Sequence, residues 1–364
     1  MNLRNLLLLL ITAPFILLAG GCADKVGSPT GPGTTNTNEG MGRLVYNVGT
    51  IGVAGSGSVT LMDSNGNTIR NMMAMVPVVN ESGVWSCGVG RFVWLAIDTT
   101  WPNGVNYVIV SNNTGTMNSI VFRGAGDSLV AFPVISPDGS HVAILTRGGT
   151  PSGSRRILVM ALQSSGDSVI AVDPHFLSTS VPEEAIPCFS PDGSKIAYLD
   201  VSGKVIVAAS DGSSSVPVAT LSGSGVNTYT LWTIDWSTTN KLAFLDFSGN
   251  TVAVPIHVMN TDGTGMVTVD TGYTPSWSPD GKTLAYSNYS GDIVVTSDLG
   301  LTKNNLTNNG QYNAKPSWSP DGKQIAYTYK FSGQSSTSSI VSIDVATKVT
   351  KTLASSGFFA SWLR

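Results

Sequence analysis

The side chains that most often do chemistry are scarce in this sequence. It has three histidines, His141, His175 and His257, and three cysteines, Cys22, Cys87 and Cys188. No histidine has a second histidine or a cysteine at the short spacing of a zinc site, so neither a metal nor a cofactor is expected. Serine hydrolases present their nucleophile on a strained turn such as G-x-S-x-G, and that pentapeptide does not occur. Glycoside hydrolysis wants two carboxylates flanking the bond. The loop pair Glu183 and Glu184 is adjacent, and neighbours in an extended chain point opposite ways. Segments 63–67 (DSNGN) and 260–265 (NTDGTG) echo calcium loops but lack the full carboxylate set and the terminal Glu, so they read as turns. No catalytic residue is assigned, and the expectation is a protein that is not an enzyme.

The elements that would position any site are read from a repeat. The segment PSWSPDGKTLAYSN (275–288) returns as PSWSPDGKQIAYTY (316–329), and Trp277 and Trp318 are 41 residues apart. The same anchor position recurs at Trp85, Ile135, Phe189, Trp236 and Trp362, giving seven anchors, four of them followed by an intact S-P-D-G. In that tetrapeptide Pro pre-sets φ, Asp caps its own turn and Gly takes positive φ. Each unit then supplies an alternating second strand, a third strand, a hairpin turn of D-G type and a weaker fourth strand. Four antiparallel strands in 41–54 residues is the period of a β-propeller blade. The fold expected is therefore all-β: a propeller of seven four-stranded blades, with six as the alternative if 83–122 stands outside. Residues 43–75 hold strands two to four of a unit without an anchor, and 358–363 hold an anchor strand with nothing after it. Pairing the two would close the ring and leave no open seam. Aspartates 138, 192, 280 and 321 repeat with the fold and read as turn caps, and the anchor aromatics read as packing between blades.

The S-W-S-P-D-G-K-x-x-A-Y repeat resembles the WD-like propeller repeat of the TolB family and of prolyl-oligopeptidase-type propeller domains. The resemblance covers residues 43–364 and implies a fold rather than an activity. TolB-type propellers usually have six blades and a preceding α/β domain. Here the expectation is the propeller alone, with a lipid anchor in place of that domain.

That anchor is read from residues 1–22. A short region with Arg4, an apolar run from Leu6 to Leu18 and small residues before Cys22 make a secretory signal. Its ending LAGGC resembles a bacterial lipobox, which implies a signal peptide over 1–21 and acylation of Cys22. Residues 22–42 are rich in Gly, Pro, Thr and Asn and read as a flexible tether; 43–364 is the propeller. The location expected is the bacterial cell envelope, lipid-anchored at the periplasmic or outer-membrane face. Cys87 and Cys188 fall on innermost strands two blades apart, which argues against a bridge and leaves their pairing open.

Only 12% of the residues are charged, about half the usual share. The net charge of −3 gives no electrostatic case for nucleic acid. Function is sought in the connections. The first-to-second and third-to-fourth connections are tight turns, whereas long insertions fall on the other face: 98–106, 147–156, 173–185, 222–231, 247–255 and 329–339. Loops on a rigid scaffold usually carry function. Candidate binding residues there are Trp101, Arg155, Arg156, His175, Phe176, Glu183, Glu184, Tyr229 and Phe331. The reading is a monomeric, non-catalytic envelope scaffold that binds a protein or glycan. The alternative is a propeller enzyme of lyase or glycosidase type working at the channel mouth.

Overall fold

The computed structural model describes residues 42–48, 58–72, 81–98, 105–125, 130–146, 155–177, 180–182, 185–221, 232–246, 254–330 and 338–363. The strands run in chain order. The first three are β1 (Arg43–Val48), β2 (Ser58–Asp63) and β3 (Thr68–Met72). Then come β4 (Glu81–Gly88), β5 (Arg91–Asp98), β6 (Val105–Asn112) and β7 (Asn118–Ala125). Next are β8 (Val130–Ile135), β9 (His141–Thr146), β10 (Arg156–Ser165) and β11 (Ser168–Phe176). These are followed by β12 (Ala185–Ile186), β13 (Cys188–Phe189), β14 (Lys195–Leu199), β15 (Lys204–Ala209) and β16 (Ser215–Thr220). The run β17 (Trp232–Trp236), β18 (Lys241–Leu245), β19 (Pro255–Asn260) and β20 (Val267–Trp277) leads into β21 (Leu284–Asn288), β22 (Ile293–Ser297) and β23 (Thr302–Asn305). The last are β24 (Tyr312–Trp318), β25 (Gln324–Lys330), β26 (Ser338–Asp344), β27 (Thr350–Ala354) and β28 (Phe358–Trp362).

The protein is an all-β propeller. Five sheets are separate and four-stranded, and the sixth is an eight-stranded sheet running β12-β17-β18-β19-β20-β21-β22-β23. Seven separate sheets, as the anchors suggest, are not what forms. The reason is β20. Residues up to Thr271 pair with β19, residues from Gly272 pair with β21, and no turn intervenes. Residues 81–125, the weakest match to the repeat, form a four-stranded sheet of their own. Its second strand buries Trp94 completely, with the indole N–H donating to Ser111 Oγ at 2.8 Å. The last strand pairs with the first as the orphan anchor implied: β28 lies antiparallel to β1, with Leu44 opposite Trp362 and Asn47 opposite Phe358.

The four S-P-D-G copies fold into one repeated network. Ser136, Ser190, Ser278 and Ser319 each donate Oγ–H to the aspartate two residues on, at 2.5–2.6 Å. Each of these hydroxyls also accepts the backbone N–H five residues on, at 2.9 Å. The glycines take φ of 71°, 73°, 69° and 70°, where a side chain would be strained. Burial alone would raise the carboxyl pKa values of Asp138 and Asp192. The hydrogen bonds from their serine neighbours outweigh it and hold both below the usual carboxylate range.

The anchors pack between neighbours. Trp277 lies in one cluster with Ile256 and Val258 of β19 and with Leu284 and Tyr286 of β21. Trp318 joins Ala285 and Val295 to Ile325 and Val341, and Trp362 joins Ala326 and Ile340 to Leu44 and Met62. One end of the molecule carries only tight connections, the longest of them 261–266 and 278–283. The connections at the other end include 147–155, 177–184 and 246–254.

Candidate functional site

The sequence candidates sort into three groups. Trp101, Glu183, Glu184, Tyr229 and Phe331 lie outside the described residues, as does Cys22. Arg156 and Phe176 come together: they end β10 and β11 beside the long connections 147–155 and 177–184, with the guanidinium 4.3 Å from the ring centroid. Phe176 is 37% exposed, so this cation–π pair presents a face to solvent.

Arg155 and His175 differ from expectation. Arg155 is not a solvated loop residue. It is 6% exposed, and its backbone exchanges hydrogen bonds with Val181 at 3.2 and 2.8 Å. His175 is not in a loop. It lies in β11, opposite Val159 of β10, and its Nε2 is 2.7 Å from the carbonyl oxygen of Ser210. Ser210 opens the tight β15–β16 turn, so His175 joins neighbouring blades. His257 is tied to Asp246 Oδ2 at 3.2 Å, and His141 Nδ1 to Ser140 Oγ at 2.7 Å. Cys188 is disulfide-bonded. The side chains of Cys22 and Cys87 lie outside the described ones. Neighbouring inner strands also bond sideways to one another.

Those sideways bonds create a second site, which the sequence reading missed. Asp235, one residue before its anchor and 1% exposed, accepts the Trp277 N–H on Oδ2 at 2.6 Å and the Trp236 N–H on Oδ1 at 3.0 Å. Ser317, at the same place in its own unit, accepts the Trp362 N–H at 3.2 Å. The Trp318 indole donates to the Ser276 carbonyl at 3.0 Å. At Pro187, which has no N–H, the ladder switches partner: Ala185 and Ile186 pair in parallel with β17, and Cys188 and Phe189 pair with β14.

Three residues before the anchor, the chain bulges. Register shifts fall between Tyr273 and Ser276 and between Ala314 and Ser317. Thr274, Lys315 and Phe359 occupy this position in successive inner strands, with φ of 50°, 59° and 54°. Such a backbone costs a non-glycine residue roughly 1–2 kcal/mol. Lys315 is 7% exposed, and its Nζ lies 4.6 Å from the Phe359 ring centroid. Burial drives its pKa well below the ordinary lysine value. The signal was present in the sequence: TPSW, KPSW and FASW align, and lysine is the departure. Among the described residues no cluster of three metal-ligating side chains occurs.

This is a β-propeller, and comparison with solved structures gives the same fold. The chain is similar to a puromycin-hydrolyzing peptidase from Mycobacterium tuberculosis (TM-score 0.57, 15% identity, 93% of this chain and 56% of that one). It is similar to an oligogalacturonate lyase in complex with manganese (TM-score 0.54, 12% identity, 87% and 86%). It is also similar to TolB from Acinetobacter baumannii (TM-score 0.50, 11% identity), covering 88% of this chain and 66% of TolB. No protein-family model matches the chain, and no curated protein matches it. The expectation that this is not an enzyme is corrected here: a lyase and a peptidase share the fold, so the architecture gives no ground for excluding catalysis.

Proposed function

We propose that the protein is a ligand-binding β-propeller of the bacterial cell envelope that engages a protein or glycan at the end bearing the long connections. The observation that carries this is the exposed Arg156–Phe176 pair at the blade edge beside 147–155 and 177–184. A stacked guanidinium and aromatic ring suits contact surfaces, where Arg and aromatics are enriched. Trp101, Glu183, Glu184, Tyr229 and Phe331 fall in the connections of the same end and would extend the surface. The eight-stranded sheet is read as two blades sharing β20, which makes the propeller seven-bladed; an experimental structure with that sheet as one flat layer would count against this.

The test is capture of a partner from envelope extracts by wild type and by a protein carrying Arg156→Ala with Phe176→Ala. Capture is expected to fall sharply. Substitutions at exposed positions usually stay within about ±0.5 kcal/mol, so the melting temperature should hardly move. Undiminished capture by the double variant would remove this surface from consideration.

A second reading is favoured by a different observation. The strained, buried Lys315 beside the channel fits a propeller enzyme of lyase or glycosidase type, and the propeller lyase of similar fold supports that reading.

Envelope location is supported by the signal-like residues 1–22 and by the fold likeness to TolB. Lipid anchoring is proposed at Cys22. Cys22→Ser is expected to leave the propeller folded and to move it out of the membrane fraction or block processing. If the variant still sediments with membranes at its normal mass, the anchor lies elsewhere.

A further inference from the structure

We propose that the inner wall around Lys315 is a binding site for a small carboxylate ligand, a site separate from the Arg156–Phe176 surface and from the binding role proposed for it. The Lys315 amine has no counter-charge among the described residues. Lys315 is more than nine-tenths buried, and its one described contact beyond the backbone is the face of Phe359. A buried cation is ordinarily paired or coordinated. The ionisable groups on the elements packed against β24 are Asp270 and Tyr273 of β20, Tyr286 of β21, and Tyr327, Tyr329 and Lys330 of β25. The one carboxylate among them, Asp270, is already engaged by the Tyr286 hydroxyl and by Lys303 at 3.0 Å. Nothing in the described protein neutralises Lys315.

The position of the amine says where the missing anion would sit. β24 is the first strand of its sheet, so one edge bonds β25 and the other faces the channel. At Lys315 the chain bulges away from β25, and Nζ is carried over to Phe359 of the next inner strand. Two further polar groups stand at the same level. Thr274 and Thr233, each three residues before its anchor, have buried hydroxyls without a hydrogen-bond partner among the described residues. Buried hydroxyls of this kind are costly when left unmet. An ammonium and hydroxyl donors on successive inner strands, with an aromatic face beside them, form a donor set for a carboxylate. The Phe359 ring would cover the apolar part of the ligand.

Binding then carries a proton signature. Desolvation holds the empty site's amine toward its neutral form, and the incoming anion stabilises the ammonium. Ligand affinity must therefore fall as pH rises, and binding must take up a proton. The experiment is isothermal titration of the full chain with acetate and with pyruvate, using acetamide as the uncharged control, in two buffers of different ionisation enthalpy. The expected result is carboxylate binding with net proton uptake, no binding of acetamide, and at least about tenfold weaker binding by Lys315→Met. Thr274→Val is expected to weaken binding several-fold without loss of folding. Equal affinity in Lys315→Met overturns the proposal, as does a wild type that binds neither carboxylate. Should Lys315→Met fail to fold, carboxylate binding by wild type without proton uptake would overturn it equally.

Discussion

Removing residues 358–364 is expected to abolish cooperative folding. β28 is the only partner of the free edge of β1 among the described strands, and Trp362 fills the cluster that links the first sheet to the last. The deletion exposes the inner edge of β1, and it empties the space of a tryptophan that is 2% exposed. Loss of a buried Trp alone costs about 3–5 kcal/mol, a large share of the roughly 5–15 kcal/mol that holds a domain together. Thermal melting monitored by near-UV circular dichroism checks this. A truncated protein that melts like wild type would mean that the last strand closes nothing.

The second large effect is expected at Asp235. Its carboxylate takes the N–H groups of Trp236 and Trp277, tying adjacent inner strands together below the surface. Hydrogen bonds to a charged acceptor are worth about 1.5–3 kcal/mol each, and a donor left unmet in the interior costs a comparable amount. Asp235→Ala should therefore destabilise by about 3 kcal/mol or more, and Asp235→Asn by less, since the amide oxygen can still accept one bond. Urea unfolding of the three proteins gives the comparison. If the alanine variant lies within 1 kcal/mol of wild type, which is about the size of one ordinary hydrogen bond, the inner strands are held by packing alone.

These two cases mark what could be read in advance. The turn at S-P-D-G is dictated locally by Pro, Asp and Gly, so it was legible; the serine was not, because its hydroxyl serves a backbone group five residues away. The pairing of β28 with β1 was legible because an orphan anchor strand and an anchorless unit imply each other. The position of His175 was misread because 173–185 was taken whole as an insertion, although β11 continues through Phe176. β11 is the outer edge of its sheet, where a residue without an N–H, here Pro174, is tolerated. Arg155 was misread because burial of a loop residue depends on a distant segment, Val181. The pairing of Arg156 with Phe176 was half legible: both lay in insertions at one end, but their contact depends on β10 and β11 being neighbours. Lys315 was visible only as a departure from its aligned copies, and its meaning needed the bulge and Phe359.

The unbroken course of β20 has a consequence for motion. Elsewhere a connection separates one sheet from the next, and each sheet can open by itself, which gives a graded series of local unfolding free energies. Between β19 and β21 there is no such joint: Thr271 and Gly272 are consecutive residues of one strand paired to opposite neighbours. Loosening one pairing strains the other, so β17 to β23 should exchange their amide hydrogens as a single block. The slowest-exchanging region of the molecule is then expected in that block, and the propeller would breathe everywhere but there.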